Sequence, residues 1–451
     1  MTVEICLSAA ASLNSSALVA AGLVFRDASG RCEKGRLFLG DLLYRAPMTS
    51  LILLATVAAL LVGLGIVERW QHHRRLRQIP IRIHVNGTRG KSSVTRLIAA
   101  GLRAGGIRTC AKTTGTLARM ILPDGREFPV FRPAKANVIE QLRIVRASAE
   151  LETQALVIEC MAVQPLLQSL CELVFVRATH GVITNARPDH LDVMGPTSHD
   201  VATALAATVP VQGKIYTSEP EHIGVFEAAA EDRKSKLHRV TPQDISAVTE
   251  SELSNFSYLE HAENVATALA VCGDLGVDRA TALKGMWQAT PDPGALTAYE
   301  LSFFGRTVVF VNAFAANDPD STAKIWRWVR PRFEDFPKTI IIVNCRADRP
   351  DRSQQLARLA GQSLNPDHFV LMGEGSYIFS KTATDAGLEP HRIHYAEGLN
   401  VEEVFEVVAD LTGPRALVMG IANIGGQGLE LVRFFRNRSK PLVWAIGEEH
   451  K

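Results

Sequence analysis

The sequence predicts an α/β protein with two parallel-rich sheet domains, preceded by one membrane-spanning helix. Three observations support this: an uncharged apolar run, a glycine loop between a strand-like and a helical segment, and short β-like runs separated by helical stretches. The alternation of strands and helices favours a largely parallel sheet. The candidate strands are residues 155–158, 182–184, 308–311, 339–343, 369–372 and 416–419. Pro and Gly cluster at 291–294, so we place a domain boundary there, between 78–293 and 294–451.

The apolar run extends from Leu51 to Val67, and its flanks from 48 to 70 bring it to the length of a membrane span, about 20 residues. Four arginines follow it, which predicts a single-pass protein of the cytoplasmic membrane with its body in the cytoplasm. They are Arg69, Arg74, Arg75 and Arg77. The alternatives are a buried core helix or a signal peptide, but a signal peptide places its charges before the apolar run. Residues 1–47 carry no recognisable chemistry, and we expect either disorder or an over-extended gene start there; in the second case Met48 would be the first residue.

The composition of the 451-residue chain excludes several classes of protein. The formal net charge is only +2, which does not indicate a broad nucleic-acid surface. None of the seven cysteines forms a Cys-x-x-Cys pair, so neither a zinc site nor a disulfide framework is indicated. Their apolar neighbours predict buried free thiols.

The glycine loop lies in residues 84–93, which read His-Val-Asn-Gly-Thr-Arg-Gly-Lys-Ser-Ser. A glycine loop between a strand and a helix surrounds a phosphate with backbone N–H groups at the positive helix end. Lys91 would reach the outer phosphates and Ser92 would bind magnesium, which predicts a nucleoside triphosphate site. The alternative is an ordinary turn with chance glycines, and the full phosphate-loop pattern wants glycine where this chain has Val85. The predicted loop ligands are Asn86, Gly87, Thr88, Arg89, Gly90, Lys91, Ser92 and Ser93.

Two further segments place acids where strands end. Glu159 follows the apolar run 155–158, and ligands collect at the carboxyl ends of parallel strands. An acid beside a phosphate loop is suited to bind magnesium, although a strand-end Glu can also simply face solvent. Residues 182–192 leave a second strand and gather Asp189, His190 and Asp192. Magnesium prefers oxygen ligands, so a lone Asp-His pair would usually be structural.

The order of these segments resembles that of the Mur ligases and folylpolyglutamate synthases. They share the short loop Gly-Thr-x-Gly-Lys-Ser/Thr and join amino acids to a carboxylate through an acyl phosphate. Mur ligases carry Thr-Asn-x-x-x-Asp-His-x-Asp where this chain has 184–192, and their His binds a second metal ion. The resemblance implies catalytic roles for Lys91, Glu159 and His190, and metal binding by Ser92, Glu159 and His190. It also implies that Asn185 and Asn264 bind ATP.

Longer strings resemble the poly-γ-glutamate synthase subunit PgsB/CapB family, from Met48 nearly to the C-terminus. They lie at 112–120, 159–163, 189–197, 291–295, 312–318 and 344–349. This resemblance implies a Mur-ligase-like P-loop ATPase domain, a second Rossmann-like domain, and ATP-dependent ligation of glutamate through its γ-carboxyl with Mg²⁺ or Mn²⁺. The implied partners are glutamate, the polyglutamate chain, the inner membrane, and PgsC/CapC-like and PgsA/CapA-like membrane subunits. The residues implied to hold substrate are Thr114, Thr116, Arg119, Asn312, Asn317 and Arg346.

The chain departs from the wider Mur pattern at four places. The first lysine after the Asp-His pair, where Mur ligases often carry a carbamylated lysine, is Lys214. Their His-Asn-x-x-Asn is half present, because Glu263-Asn264 is followed by Thr267. The Pro-Gly-Arg motif of related synthases is Pro-Gly-Ala at 293–295 in this chain. Their Asp-x-Ala-His-Asn-Pro-Asp motif is replaced by Asn-Ala-Phe-Ala-Ala-Asn-Asp-Pro-Asp at 312–320. The poly-γ-glutamate enzymes share the last two changes, which favours that family.

A set of basic residues near these strings would suit an acidic substrate, because guanidinium groups bind carboxylates in a two-pronged geometry. The set is Arg119, Arg132, Lys135, Arg346, Arg349 and Arg352. The alternative is a solvated surface, to which we assign Arg352. Three other functions stay open: a Mur- or folate-type ligase with another substrate, a membrane-tethered regulatory ATPase or kinase, and a non-catalytic assembly subunit.

Overall fold

The computed structural model describes residues 48–115, 117–132, 136–292, 295–315 and 318–442, with side chains from Ile52 onward, and the backbone of two short strands before them. The chain divides into two compact units, residues 1–73 and 74–451. The predictions for Thr116, Lys135 and Asn317, and for the boundary at 293, fall outside the described residues.

The first unit contains two short strands and most of a long helix. β1 (Leu23–Arg26) pairs antiparallel with β2 (Cys32–Gly35), and the rest of the prediction for 1–47 lies outside the described residues. The helix α1 (Met48–Gln78) continues beyond the predicted end at residue 70, since its arginine-rich last turns favour a helix and interact well with its C-terminal dipole. Its segment from Ile52 is long and apolar enough to cross a membrane, with a mean hydropathy of 2.0 and no buried residues in the apolar window.

The second unit begins with a sheet whose eight described strands follow the order β10-β9-β8-β3-β7-β4-β5-β6. The strands are β3 (Ile81–Asn86), β4 (Thr109–Lys112), β5 (Arg119–Ile121), β6 (Glu127–Pro129), β7 (Ala155–Glu159), β8 (His180–Ile183), β9 (Lys214–Thr217) and β10 (Lys236–Arg239). Among these described strands the antiparallel pairings are those of β5 with β4 and with β6. Because β3 pairs in parallel with both β7 and β8, the carboxyl ends of these three strands meet at one edge.

Helices cover the central sheet and bury its apolar side chains. They are α2 (Lys91–Ala104), α3 (Glu140–Glu150), α4 (Pro165–Leu170), α5 (Leu191–Met194), α6 (Ser198–Ala206), α7 (Ile223–Asp232), α8 (Pro242–Ser246), α9 (Glu250–Leu253), α10 (Ala262–Asp274) and α11 (Arg279–Trp287). The helix that follows the glycine loop, α2, buries Val94, Leu97 and Ile98 in the largest core. It approaches α11 so closely that a Cβ on Gly285 would lie 2.4 Å from the Ala100 carbonyl oxygen.

The remaining strands form a seven-stranded sheet with the order β15-β14-β13-β16-β12-β11-β17. They are β11 (Thr297–Phe303), β12 (Arg306–Asn312), β13 (Lys338–Cys345), β14 (His368–Gly373), β15 (Ile393–Tyr395), β16 (Arg415–Ile421) and β17 (Lys440–Leu442). Five helices flank it: α12 (Pro319–Arg332), α13 (Pro350–Gln362), α14 (Ser376–Asp385), α15 (Val401–Leu411) and α16 (Gln427–Arg438). The antiparallel pairings described in this sheet are those of β11 with β12 and with β17, and its other described pairings are parallel. The predicted α/β class with parallel-rich sheets is therefore confirmed.

A buried ion pair ties the middle of the central sheet to the connection before β8. His84 Nδ1 on β3 lies 2.8 Å from Glu172 Oε2, and both side chains are at most 1% exposed. Glu172 also accepts a hydrogen bond from the Ala178 amide, at 2.8 Å, and it lies in a π-helical turn, Cys171–Val176. Burial alone would lower the pKa of His84, but the neighbouring Cys160 and Glu172 outweigh it and raise the pKa to about 10.

Candidate active site

The glycine loop has the backbone geometry that a phosphate cradle requires. Gly87 (φ +129°) and Gly90 (φ +80°) occupy conformations that L side chains rarely adopt. A Cβ on Gly87 would lie 2.1 Å from Thr184 Oγ1, and one on Gly90 would lie 2.6 Å from Asn264 Oδ1. The loop therefore depends on both glycines for its close contacts with the end of β8 and with α10, and α2 begins directly after it.

Lys91 lies folded over the loop. Its ammonium donates hydrogen bonds to the main-chain carbonyl oxygens of Gly87, at 2.6 Å, and Thr88, at 3.2 Å. Carbonyl oxygens are weak partners for a full positive charge, and phosphate oxygens at the same loop would be stronger ones. The position of Lys91 is thus suited to an incoming polyphosphate.

Glu159 stands beside the loop at the end of β7, as the sequence predicts. The Ser92 hydroxyl donates a hydrogen bond to Glu159 Oε2 at 2.8 Å, and the Thr114 amide donates to the same oxygen at 2.7 Å. Glu159 is only 2% exposed, so its charge is stabilised by these two donors rather than by bulk water. A hydroxyl and a carboxylate in contact form a pair of hard oxygen donors of the kind that Mg²⁺ or Mn²⁺ prefers.

His190 occupies a strained position at the start of α5, with φ +47°. Burial lowers its pKa, and although Asp189 acts in the opposite direction, Arg349 adds to the decrease. A neutral imidazole keeps a free lone pair, which a metal ligand needs. However, His190 does not line the cavity between the glycine loop and the second sheet. Among the residues that the structure describes, no group of three or more His, Cys, Asp or Glu is arranged to hold a metal ion.

The two predicted asparagines at the strand ends point in different directions, and only Asn185 contacts the glycine loop through its side chain. Asn185 Oδ1 accepts hydrogen bonds from Thr88 Oγ1, at 2.7 Å, and from the Arg89 amide, at 3.1 Å, so Asn185 braces the loop. Asn86 instead turns into the core, where its amide donates to Gln168 Oε1 at 2.8 Å and to Thr208 Oγ1 at 3.2 Å. Of these two side chains, the described cavity lining includes only that of Asn185.

A cavity of about 590 Å³ lies between the loop and the second sheet. Its central wall is formed by the loop from Thr88 to Ser93, with Glu159 and Asn264; its other wall includes Lys324, Arg346 and Arg352. Asn264 donates a hydrogen bond from its side-chain amide to Glu260 Oε1 at 2.7 Å, and burial raises the pKa of Glu260.

The predicted substrate residues do not all reach this cavity. Thr114 adjoins it through its hydrogen bond to Glu159, and Arg346 lines it while pairing with Asp348. Arg119 lies on β5, half-buried. Asn312 is 1% exposed, and its amide donates to the Ala295 carbonyl oxygen at 3.2 Å, so that amide faces the connection between the sheets.

Sequence reasoning missed several side chains of this cavity and misassigned one. Glu260, Lys324 and Asn423 line it and received no role from the sequence. The assignment of Arg352 to the solvated surface is wrong, because its guanidinium is half-buried and contacts Asn423 Oδ1 at 2.5 Å. The usable signal was the glycine-rich stretch 425–428 after the strand 416–419, which marks a second loop at a strand end.

Comparison with known proteins finds two matching family models and close relatives. The model of the Mur ligase middle domain matches residues 85–210, and that of the poly-gamma-glutamate synthase CapB C-terminal domain matches 298–438. The chain is 39% identical over 378 residues to the capsule biosynthesis protein CapB of Bacillus anthracis, covering 82% of this chain and 80% of that protein. It is 37% identical over 382 residues to the PGA synthase CapB of Bacillus subtilis strain 168, covering 84% and 96%.

Solved structures share the fold at low sequence identity. The bifunctional folylpolyglutamate synthase/dihydrofolate synthase of Yersinia pestis, complexed with AMPPNP and a manganese ion, has a TM-score of 0.61 and 15% identity, covering 82% of this chain and 93% of that one. The folylpolyglutamate synthase of Mycobacterium tuberculosis, complexed with ADP and AMPPCP, has a TM-score of 0.59 and 16% identity, covering 84% and 98%. These similarities confirm the predicted Mur-ligase-like fold.

Proposed function

The chain belongs to the poly-gamma-glutamate synthase CapB family, and from that premise we propose that its cavity carries out ATP-dependent γ-glutamyl ligation. The product is poly-γ-glutamate, and the enzyme is an ATP-dependent acid–amino-acid ligase. The observation that carries the proposal is the convergence in one cavity of Lys91 and the Ser92–Glu159 pair with cations from the second sheet. One wall suits a triphosphate and the other suits a substrate with carboxylates.

The chemistry proceeds in two steps. A γ-carboxylate oxygen of the acceptor attacks the γ-phosphorus of ATP, and ADP leaves with the electrons of the broken P–O bond. The amine of a glutamate then attacks the acyl phosphate carbon; phosphate leaves and the amine gives up a proton, so that an amide forms. Lys91 neutralises the charge that develops on the phosphoryl oxygens, because phosphoryl transfer depends mainly on positioning and electrostatic stabilisation.

ATP and Mg²⁺ or Mn²⁺ are the proposed cofactors. Ser92 and Glu159 would hold one ion and His190 would bind a second, and a bound divalent ion neutralises negative charge on the transferring phosphoryl group. Asn185 and Asn264 are proposed to act at the nucleotide, Asn185 through the loop that it braces and Asn264 from the cavity wall. Thr114, Arg119 and Arg346 stay proposed substrate residues.

The proposed function is tested by expressing the full chain with its neighbouring membrane subunits and supplying labelled glutamate. We expect ATP-dependent incorporation of label into polymer, with ADP release that depends on glutamate. ADP release at the same rate without glutamate would instead indicate a regulatory ATPase, and polymer formed from a different amino acid would indicate a related ligase with another substrate.

Glu159→Gln is expected to lower turnover about 10²-fold while nucleotide binding changes much less. The neutral amide can still accept from Ser92 and Thr114, but it is a poorer ligand for a divalent ion whose charge matters most during transfer. Turnover and AMPPNP binding are measured across a Mg²⁺ titration, with Glu150→Gln on the exposed face of α3 as the control. Full turnover by Glu159→Gln at low Mg²⁺ would refute the metal assignment.

We also propose that α1 anchors the protein in the cytoplasmic membrane and that the catalytic body lies in the cytoplasm, beside CapC-like and CapA-like subunits. The support is the apolar, exposed segment from Ile52 and the arginines that follow it. Protease treatment of sealed cells tests the orientation, since protection of residues 80–451 by the inner membrane is expected.

Two truncations separate the anchor from the body. A chain that starts at Arg74 keeps Leu76 and Ile79, which are 4% and 0% exposed and belong to the core of the second unit. It should bind AMPPNP without detergent but make little polymer. A chain that starts at Ile79 also loses the Leu76 carbonyl that accepts from Arg82, so we expect a lower melting temperature. Membrane sedimentation of the Arg74 chain at the wild-type level would contradict the anchor.

A further inference from the structure

We propose that Arg352 binds a carboxylate of the incoming free glutamate and that Asn423 positions the Arg352 guanidinium for this task. The inference rests on the proposed ligase function and assigns the amino-acid side of its cavity. Arg352 lies on α13, Asn423 follows β16, and both line the cavity opposite the glycine loop.

A network of amide hydrogen bonds fixes the Arg352 guanidinium. Its Nη1 donates to Asn423 Oδ1 at 2.5 Å, and Asn423 Nδ2 donates to the Asn344 carbonyl oxygen at 2.9 Å. Asn344 Nδ2 returns bonds to the carbonyl oxygens of Asn423, at 2.6 Å, and Gly425, at 2.9 Å. A Cβ on Gly428 would lie 2.6 Å from the Asn423 carbonyl oxygen, so the loop is closely packed around this network. Such a fixed cation loses little freedom on binding an anion.

Arg352 forms no ion pair with an acid among the described residues. Its hydrogen-bond acceptor is a neutral amide. Two of the neighbouring guanidiniums do have acids: Arg89 lies 3.6 Å from Asp318, and Arg346 pairs with Asp348. Burial, followed by the charges of Arg349 and Arg89, lowers the pKa of Arg352, while the charge of Asp189 acts in the opposite direction. A desolvated guanidinium without an acid partner is a strong site for a carboxylate.

The arrangement of the two walls favours the free amino acid over the other anions. The phosphate-binding elements Lys91 and Ser92 belong to the central wall, and Thr114, a proposed substrate residue, lies on the same side through its main-chain hydrogen bond to Glu159. Arg352 belongs to the opposite wall, from which an amine can approach an acyl phosphate formed at Lys91. One rigid guanidinium also suits one small carboxylate rather than a flexible chain.

The test uses the full chain purified in detergent, with Arg352→Gln, Arg352→Lys and the matched control Arg358→Gln, which changes an exposed arginine of the same helix. We expect Arg352→Gln to raise the KM for glutamate about 10- to 100-fold, the range of a lost charge-assisted hydrogen bond. Arg352→Lys should give an intermediate increase, because it keeps the charge but not the two-pronged geometry. Affinity for AMPPNP and the KM for the acceptor should stay within twofold of wild type, as should every constant of Arg358→Gln.

Three results would overturn the proposal. Weaker AMPPNP binding with an unchanged KM for glutamate would make Arg352 a phosphate ligand. An increased KM for the acceptor alone would assign it to the chain end, and a lower melting temperature with unchanged constants would make it structural.

An absence of glutamate-dependent ADP release by wild type would refute the proposed ligase function itself. The role of Arg352 is then still tested by the binding of labelled glutamate to the AMPPNP-loaded protein. Binding by wild type and Arg358→Gln but not by Arg352→Gln supports the proposal. Equal binding by all three, or no binding by wild type, overturns it.

Discussion

Lys91→Ala is expected to lower glutamate-dependent ADP release by about 10²- to 10³-fold, the usual effect of removing one preorganised donor from a developing negative charge. In the structure the Lys91 ammonium donates its hydrogen bonds to main-chain oxygens of its own loop, so its loss removes no packing from the core. The melting temperature should therefore stay close to that of wild type. Poly-γ-glutamate synthesis should fall in parallel.

The matched control for this variant is Lys284→Ala, which removes an exposed lysine from α11 and should leave activity unchanged. Lys91→Arg adds a second comparison, because it keeps a positive charge in a longer, planar group that fits the loop poorly. If Lys91→Ala made polymer at the wild-type rate, the glycine loop would not be the ATP site, and the proposed mechanism would fail with it.

Local sequence patterns predicted the parts of the fold that depend on local chemistry. Each of the six predicted strands overlaps an observed one. Strands of a parallel sheet are buried on both faces, so they have short, continuous apolar sequences bounded by turns. The glycine loop and Glu159 were located for the same reason: both follow directly from strand ends. The predicted transmembrane segment 48–70 stays a prediction, and the helix that contains it continues to Gln78, since apolarity marks the span but not the arginine-rich turns that follow it.

Side-chain direction and tertiary partners were not predictable from these patterns. Asn86 occupies the predicted loop, yet its amide faces Gln168 and Thr208, which are distant in sequence. Arg352 looked like one charge of an exposed helix, but burial against Asn423 depends on how α13 packs beside β16. A single sequence contains the propensities of each segment, whereas these contacts depend on the relative placement of segments about 70 or more residues apart.

Glu172→Gln is expected to destabilise the protein by about 3 kcal/mol at pH 6, since removing one member of a buried ion pair leaves the other charge uncompensated. His84 lies in the middle of the central sheet with no exposure, so water cannot replace the lost carboxylate. The side-chain amide of the introduced glutamine could keep the bond from the Ala178 amide but could not match an imidazolium. Activity at low temperature should persist, because this pair lies in the core and does not line the cavity described here.

The pH dependence gives this prediction a distinct signature. Cys160 first, and Glu172 after it, raise the pKa of His84 from 6.5 to about 10 in the folded protein, so the stabilising contribution of the charged imidazole is fully present below pH 6.5 and is lost as the pH approaches 10. Glu172→Gln removes only the share of this contribution that comes from Glu172. The difference in thermal stability between wild type and Glu172→Gln should therefore be largest near pH 6 and shrink steadily toward pH 10. Glu150→Gln, at an exposed pair with Arg146, should show no measurable change at either pH. A difference that stays constant from pH 6 to pH 10 would mean that His84 is neutral in the fold and that Glu172 acts through hydrogen bonding alone.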